Sequence, residues 1–159
     1  FSKLRQAQDR ILFFSGDFSW ANVTHGEEKG TEVFRELADD GLNLFFLGRV
    51  DITSLENVEK LLDLKKSLKK DKINIRHCEQ PLRAFIVDEK FIQFKETRKI
   101  NSDRKSDQRT YLFYKIKDEK WVKWNKKVFW KLYRGSMPAE KRVKDLKTIK
   151  NVKNLEAKV

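Results

Sequence analysis

The stretch Pro81-Leu82-Arg83-Ala84-Phe85-Ile86-Val87-Asp88-Glu89-Lys90 decides the fold of this chain. Its apolar centre predicts a β-strand over residues 82–87, and its last three residues are typical of a turn. A second apolar run follows at residues 91–95, so the sequence predicts two antiparallel strands joined as a hairpin. Residues two apart on a strand point to the same face, so Pro81 and Arg83 should lie side by side, with Asp88 just past the strand end.

Strand-like and helix-like segments alternate on both sides of this hairpin. Their order predicts an α/β fold in which helices are layered on a mixed β-sheet. The predicted strands are residues 11–15, 42–47, 73–77 and 109–117, and the predicted helices are residues 31–40, residues 121–134 and a segment that begins at a Thr53-Ser54-Leu55-Glu56 capping box. Pro138 should lie in the first turn of one more basic helix, and the polar residues 101–108 should form a loop.

The residues around the hairpin, together with the order of the segments, resemble the phospholipase D superfamily. The signature of that family is His-x-Lys-x4-Asp, and here its three positions hold Pro81, Arg83 and Asp88. The family motif continues with Gly-Ser, at which this chain has Lys95 and Glu96. The resemblance therefore implies the family's fold with a degenerate motif.

The resemblance covers one phospholipase D-like domain over residues 1–142, and the closing stretch at residues 129–142 adds to it. Residues 143–159 would then form a basic helical tail. Residues 4–10 are typical of the end of a helix that leads directly into the first strand. We therefore interpret the chain as the C-terminal part of a longer protein.

In the family, as the resemblance implies, the histidine attacks phosphorus and the lysine holds phosphate oxygens. Pro81 has no nucleophilic side chain, which favours a non-catalytic module over an enzyme. Arg83 offers planar donors that suit phosphate or carboxylate, so we expect it to hold an anion, either Asp88 or a bound phosphate or sulfate. The alternative is a phosphodiesterase or nuclease with another nucleophile, for which His77 is the only histidine close to the motif.

The loop at residues 16–20 is a second candidate site, because loops at strand ends of α/β sheets commonly line ligand pockets. Asp17 could hydrogen-bond a ligand there, and Trp20 could stack on one. Trp20 could equally serve as a lid on the core. With two histidines, one cysteine and no ligand spacing between them, the sequence predicts no metal site and no cofactor.

The net charge of +12 is concentrated in the last third of the chain. Residues 1–94 carry 15 Lys and Arg against 16 Asp and Glu, whereas residues 95–159 carry 21 against 8. The first segment thus has a net charge of −1 and the second of +13. Such a field attracts polyanions, although a lysine-rich surface that only keeps the chain in solution would give the same count.

The helix predicted at residues 121–134 carries both tryptophans and basic residues. One stripe recurs at helical spacing and should be buried: Trp121, Trp124, Val128 and Leu132. Trp130 and Tyr133 flank that stripe and could be exposed. The candidate nucleic-acid-binding residues decorate the other faces: Lys123, Lys126, Lys127, Lys131 and Arg134. The same lysines could instead lie along a packed helix without a ligand.

Composition limits the remaining classes. The single cysteine excludes an internal disulfide framework, and no apolar run is long enough to span a bilayer, which together favour the cytoplasm. The sequence fits a non-catalytic phospholipase D-like module for ligand sensing, dimerisation or nucleic-acid contact in a larger protein that regulates transcription. Its partners would be nucleic acid or another polyanion and a second copy of the chain. A structural scaffold without a ligand stays open.

Overall fold

A computed structural model describes residues 1–99 and 109–156, and it confirms the predicted α/β fold. In that part of the chain the strands are β1 (Arg10–Ser15), β2 (Thr24–His25), β3 (Glu28–Lys29), β4 (Asn43–Gly48), β5 (Ile73–His77), β6 (Ala84–Val87), β7 (Phe91–Lys99), β8 (Arg109–Ile116) and β9 (Met137–Pro138). The α-helices are α1 (Gly30–Asp39), α2 (Leu55–Ser67), α3 (Glu119–Arg134) and α4 (Ala139–Glu156), and short 3₁₀ helices occupy Leu4–Gln6 and Ser19–Asn22.

β1 lies at the centre of a seven-stranded mixed sheet with the order β8-β7-β6-β1-β4-β5-β9. It pairs in parallel with β4 and antiparallel with β6. The predicted hairpin is confirmed, since β6 and β7 pair antiparallel on either side of the turn at residues 88–90. β2 and β3 form a separate two-stranded hairpin. Because both faces of β1 are covered, its sequence is a continuous apolar run rather than an alternating one.

One face of the sheet carries the layer formed by α1, α2 and α4. Ile11 and Phe13 of β1 point into this layer and are completely buried. The ring of Phe13 stacks on Phe46 of β4 with centroids 4.4 Å apart, and it meets Phe34 of α1 edge to face at 5.5 Å. This aromatic cluster fixes how the parallel half of the sheet packs against its helices.

The opposite face of the sheet is covered, within the described residues, by α3. Phe14 of β1 meets Phe129 of α3 edge to face at 5.1 Å, and Phe45 of β4 meets Trp130 in the same way at 5.0 Å. A single helix forms this layer, so the side of α3 that is turned away from the sheet is molecular surface.

The start of α2 differs from the prediction. Its N-cap is Ser54, whose side chain accepts no capping hydrogen bond from the helix. Oδ1 of Asp51 accepts instead from the backbone N–H groups of Thr53 and Ser54, both at 2.9 Å. The predicted capping box is therefore wrong, because Asp51, two residues before Thr53, accepts the backbone hydrogen bond that Glu56 would have accepted from Thr53. Glu56 pairs with Lys60 at 2.8 Å.

The last helix begins one residue later than predicted, since Pro138 pairs with the end of β5 in β9. α4 then runs through residue 142 without interruption, and Val143 and Leu146 are buried in the core while Ile149 is exposed. The division of the chain at residue 142 stays a prediction. The predicted loop at residues 101–108 lies outside the described residues.

Candidate functional site

The two charged residues of the motif lie at opposite ends of β6. The antiparallel register places Arg83 beside the carboxyl end of β1 and Asp88 beside its amino end. Five residues of extended chain separate them by roughly 16 Å. Asp88 is therefore not the anion that Arg83 holds, and that part of the prediction is wrong. Only Arg83 lies at the edge of the sheet where the parallel strands β1, β4 and β5 end.

Asp88 fastens the start of β1 to the β6–β7 turn. Its backbone has a φ of 50°, in the left-handed region that aspartate enters more readily than most residues. Its carboxylate accepts from the backbone N–H groups of Gln8 and Asp9 at 3.0 Å and of Arg10 at 3.1 Å, and it pairs with Lys90 at 3.1 Å. Burial raises the pKa of Asp88, but these hydrogen bonds outweigh burial and hold the pKa below its ordinary value. The role of Asp88 is thus structural.

Arg83, Lys95 and Asp17 form a charged group, here called the edge cluster, at the carboxyl end of β1. The backbone N–H of Lys95 donates to the carbonyl of Arg83 at 2.8 Å, which makes the two cationic residues neighbours across β7 and β6. The guanidinium of Arg83 lies against Gly16, where a Cβ would come within 2.8 Å of Nε. With two cations and one carboxylate, the cluster can hold a small anion.

The charges of the edge cluster act on one another. Burial and the charge of Arg83 lower the pKa of Lys95, which is partly buried and lies with Nζ 4.3 Å from the ring centroid of Tyr111. Burial raises the pKa of Asp17, but hydrogen bonds from Ser19 and the charge of Arg83 bring it below its ordinary value. An anion bound by Arg83 would therefore also favour the charged form of Lys95.

Trp20 packs on the core. Its ring is 5.8 Å from both Phe13 and Phe85, measured between centroids, and the side chain is partly buried. These contacts agree with the predicted role of Trp20 as a lid on the core, and its stacking on a ligand stays a prediction.

His77, the alternative nucleophile suggested by the sequence, does not lie beside Arg83. Its Nδ1 accepts from the backbone N–H of Val50 at 2.9 Å, at the end of β5. β4 and β1 separate β5 from β6, so His77 and Arg83 are roughly 14 Å apart along the sheet. Burial and the nearby charge of Arg142 lower the pKa of His77, which favours the neutral form of the imidazole.

The first two tryptophans of α3 face solvent. Trp121 and Trp124 are 56% and 57% exposed, so the prediction that they are buried is wrong. A second stripe with the same spacing begins one position later, and it is this one that meets the sheet: Val122, Asn125 and Phe129. Asn125 can be buried because its Nδ2 donates to the carbonyl of Trp121 at 2.9 Å.

Trp130 and Tyr133 are partly buried, contrary to their suggested exposure. Both rings meet Phe45 edge to face, at 5.0 and 5.6 Å, and the guanidinium of Arg76 lies 5.1 Å from the ring centroid of Tyr133. The aromatic residues in the second half of α3 thus attach the helix to the sheet, whereas those in its first half are available to a partner.

The basic residues of α3 form two groups. Lys123 pairs with Glu119, and Lys126 pairs with Glu89 in the β6–β7 turn. The others are exposed and make no ion pair within the described part of the chain; we call them the basic ridge: Lys120, Lys127, Lys131 and Arg134. Lys120 is not among the candidate residues that the sequence suggested, although its position four residues before Trp124 places it on the same side of a helix.

The side chains of the described residues contain no group of three or more His, Cys, Asp or Glu that could hold a metal ion. None of their helices combines the length and the apolar character that a membrane span needs.

No protein-family model matches the sequence, and no curated protein matches it significantly. Solved structures do match. TrmBL2, an archaeal chromatin protein with a novel mode of DNA binding, superposes with a TM-score of 0.59 and 20% identity over 86% of this chain and 47% of its own. NucT from Helicobacter pylori and Nuc from Salmonella typhimurium, a phospholipase D family member, both give a TM-score of 0.59, at 12% and 9% identity over 86% of each chain.

These superpositions show that the chain has the phospholipase D-like fold. The chain spans about half the length of TrmBL2. Among its neighbours in fold are a DNA-binding protein and a phospholipase D family member.

Proposed function

We propose that this chain is a non-catalytic phospholipase D-like module that contacts nucleic acid through α3, as part of a larger regulatory protein. The observation that carries the proposal is the basic ridge, in which four cationic side chains lie exposed on a helix without a carboxylate partner among the described residues. Unpaired cations of this kind release counterions from a phosphate backbone when they bind it, and this is the main source of non-specific affinity.

The position of the motif supports the absence of catalysis. Pro81 is exposed and offers no nucleophile, and His77 lies three strands away and accepts a backbone hydrogen bond. Arg83 and Lys95 can hold an anion but cannot form a covalent intermediate with phosphorus at the position of Pro81. DNA binding by TrmBL2, a neighbour in fold, is consistent with the proposed contact.

The two groups of lysines on α3 provide the test. We expect purified protein to bind a fluorescent 20-mer duplex at about 50 mM salt, with affinity falling by a log–log slope of about −0.9 for each phosphate neutralised. Replacing Lys127 and Lys131 with Gln should weaken binding and flatten that slope by about 2. The matched control is Lys123→Gln with Lys126→Gln, which should change the slope by less because each lysine is already paired.

Two results would contradict the proposal. One is the absence of any complex at about 50 mM salt and tens of micromolar protein, where non-specific binders should associate. The other is an equal loss of affinity in both sets of variants, which would mean that net charge alone, and not the basic ridge, attracts the nucleic acid.

A further inference from the structure

We infer that Trp121 and Trp124 form a stacking site for a base of single-stranded nucleic acid, an inference that rests on the proposed contact between α3 and nucleic acid. The two rings and Lys120 line a surface recess of about 340 Å³. Both rings are more than half exposed, although the other large aromatic side chains of α3 pack on the sheet. Their exposure gains nothing for the fold, which points to a ligand.

The geometry of the recess suits one planar group. The ring centroids lie 5.8 Å apart and the ring planes meet at 81°. A base that lies flat on one ring therefore meets the other ring with its edge. Two parallel rings would instead have sandwiched the base or closed on each other. Stacking of this kind tolerates any base, because every base has a π-face.

The surroundings of the recess favour a single strand over a duplex. Lys120 lines the recess, and Lys127 and Lys131 lie three and seven residues after Trp124, on the same side of the helix. A strand that crosses the recess thus has lysines for its phosphates on both sides of the stacked base. In a duplex the faces of the bases are covered by their neighbours, so a duplex can use the lysines but not the rings.

Charge argues against a second copy of the chain as the occupant. A symmetric contact places the same patch of both copies face to face. Such a contact through the recess would bring Lys120, Lys127 and Lys131 of one copy against the same residues of the other, and like charges in a desolvated contact repel. A polyanion with planar groups satisfies both the lysines and the rings.

The test compares three probes of equal length: oligo(dT), an abasic oligonucleotide that keeps the phosphates but has no bases, and a duplex. We expect Trp121→Ala and Trp124→Ala each to lower the affinity for oligo(dT) about 10-fold, in line with the loss of one stacked base. The affinities for the abasic strand and the duplex should change by less than about 2-fold. Phe113→Ala is the matched control, because it removes an equally exposed aromatic ring from β8 and should leave all three affinities unchanged.

The outcomes separate this inference from the proposed function. Unchanged oligo(dT) binding in both tryptophan variants overturns the stacking site, while the proposed function survives if the basic-ridge variants still weaken binding to all three probes. An equal loss of affinity for oligo(dT) and for the abasic strand in the tryptophan variants also overturns it, because the rings would then contribute to binding without stacking on a base. A dimer in analytical ultracentrifugation that dissociates in the Trp121→Ala, Trp124→Ala double variant, or binding to anionic vesicles in preference to oligo(dT), would assign the patch to another partner.

Discussion

The two ends of β6 hold the two charged residues of one motif, and they differ in almost every physical respect. At one end, the carboxylate of Asp88 accepts three backbone hydrogen bonds and ties the start of β1 to the sheet. At the other end, the side chain of Arg83 is exposed and acts on Asp17 and Lys95 mainly through its charge. One strand thus has a residue that maintains the fold at one end and an exposed charge at the other.

The strongest test of this difference is the stability of variants at the two ends. Asp88→Ala leaves three backbone donors without their acceptor and places alanine at a positive φ, so we expect the free energy of unfolding to fall by about 2–4 kcal/mol. Arg83→Ala should change it by less than about 0.5 kcal/mol, because the side chain is exposed. Urea unfolding followed by circular dichroism measures both, and equal losses would contradict the division of roles.

The dependence of stability on pH should separate the carboxylate of Asp88 from its backbone. Folding lowers the pKa of Asp88, so its stabilisation is complete above the unfolded value of about 3.9 and is lost as the pH falls through the lower folded value. Asp88→Asn tolerates the same φ but does not titrate. We expect it to reduce the loss of stability between pH 5 and pH 2 without abolishing it, because Asp17 and Asp51 also have lowered pKa values. An unchanged acid slope in Asp88→Asn would contradict this.

At the other end of β6, the pKa of Lys95 should report on Arg83. Burial is the main cause of its lowered value and the charge of Arg83 is the second. Arg83→Ala should therefore raise the pKa of Lys95 only part of the way to its ordinary value, as measured by NMR of the Cε resonance. Inorganic phosphate should raise it as well in the parent protein but not in Arg83→Ala. If phosphate has no effect in the parent protein, the edge cluster holds no anion of this kind.

The smallest expected effect concerns catalysis. We expect no turnover of bis(p-nitrophenyl) phosphate or of single-stranded DNA, because Pro81 stands where the sequence resemblance places the family's nucleophile. His77→Ala should leave this result unchanged, since His77 lies roughly 14 Å from Arg83. Turnover that disappears in His77→Ala would revive the interpretation of the chain as a phosphodiesterase.

Most of the fold could be predicted from the sequence, because it depends on local pattern. The apolar run of β1 and the helical spacing of Val33, Phe34 and Leu37 in α1 each identify their element without reference to the rest of the chain. The hairpin of β6 and β7 follows in the same way from two apolar runs around a turn. The order of these elements then supports the resemblance to the phospholipase D superfamily.

The candidate site could be predicted only in part, because it depends on which side of an element faces the sheet. On α3 two stripes have the same helical spacing, one that begins at Trp121 and one that begins at Val122. The large apolar rings of the tryptophans favour burial of the first stripe, but the second is the one that is buried. The stripe that packs on the sheet contains Asn125, whose Nδ2 donates to the carbonyl of Trp121 within the helix. The prediction that Asp88 pairs with Arg83 is wrong for another reason. The two residues are close in sequence, but the extended chain of β6 lies between them and holds them at opposite ends of the strand.

The central position of β1 also has a consequence during synthesis. β1 is synthesised before both of its partners: its parallel partner β4 follows first, and its antiparallel partner β6 comes about 70 residues after β1. At about 5–20 residues per second, a ribosome would need roughly 4 to 14 s to complete the second partner. During that interval five consecutive residues that are buried in the finished sheet have no complete set of neighbours. The unpaired β1 therefore adds to the aggregation risk of the nascent chain until β6 has emerged.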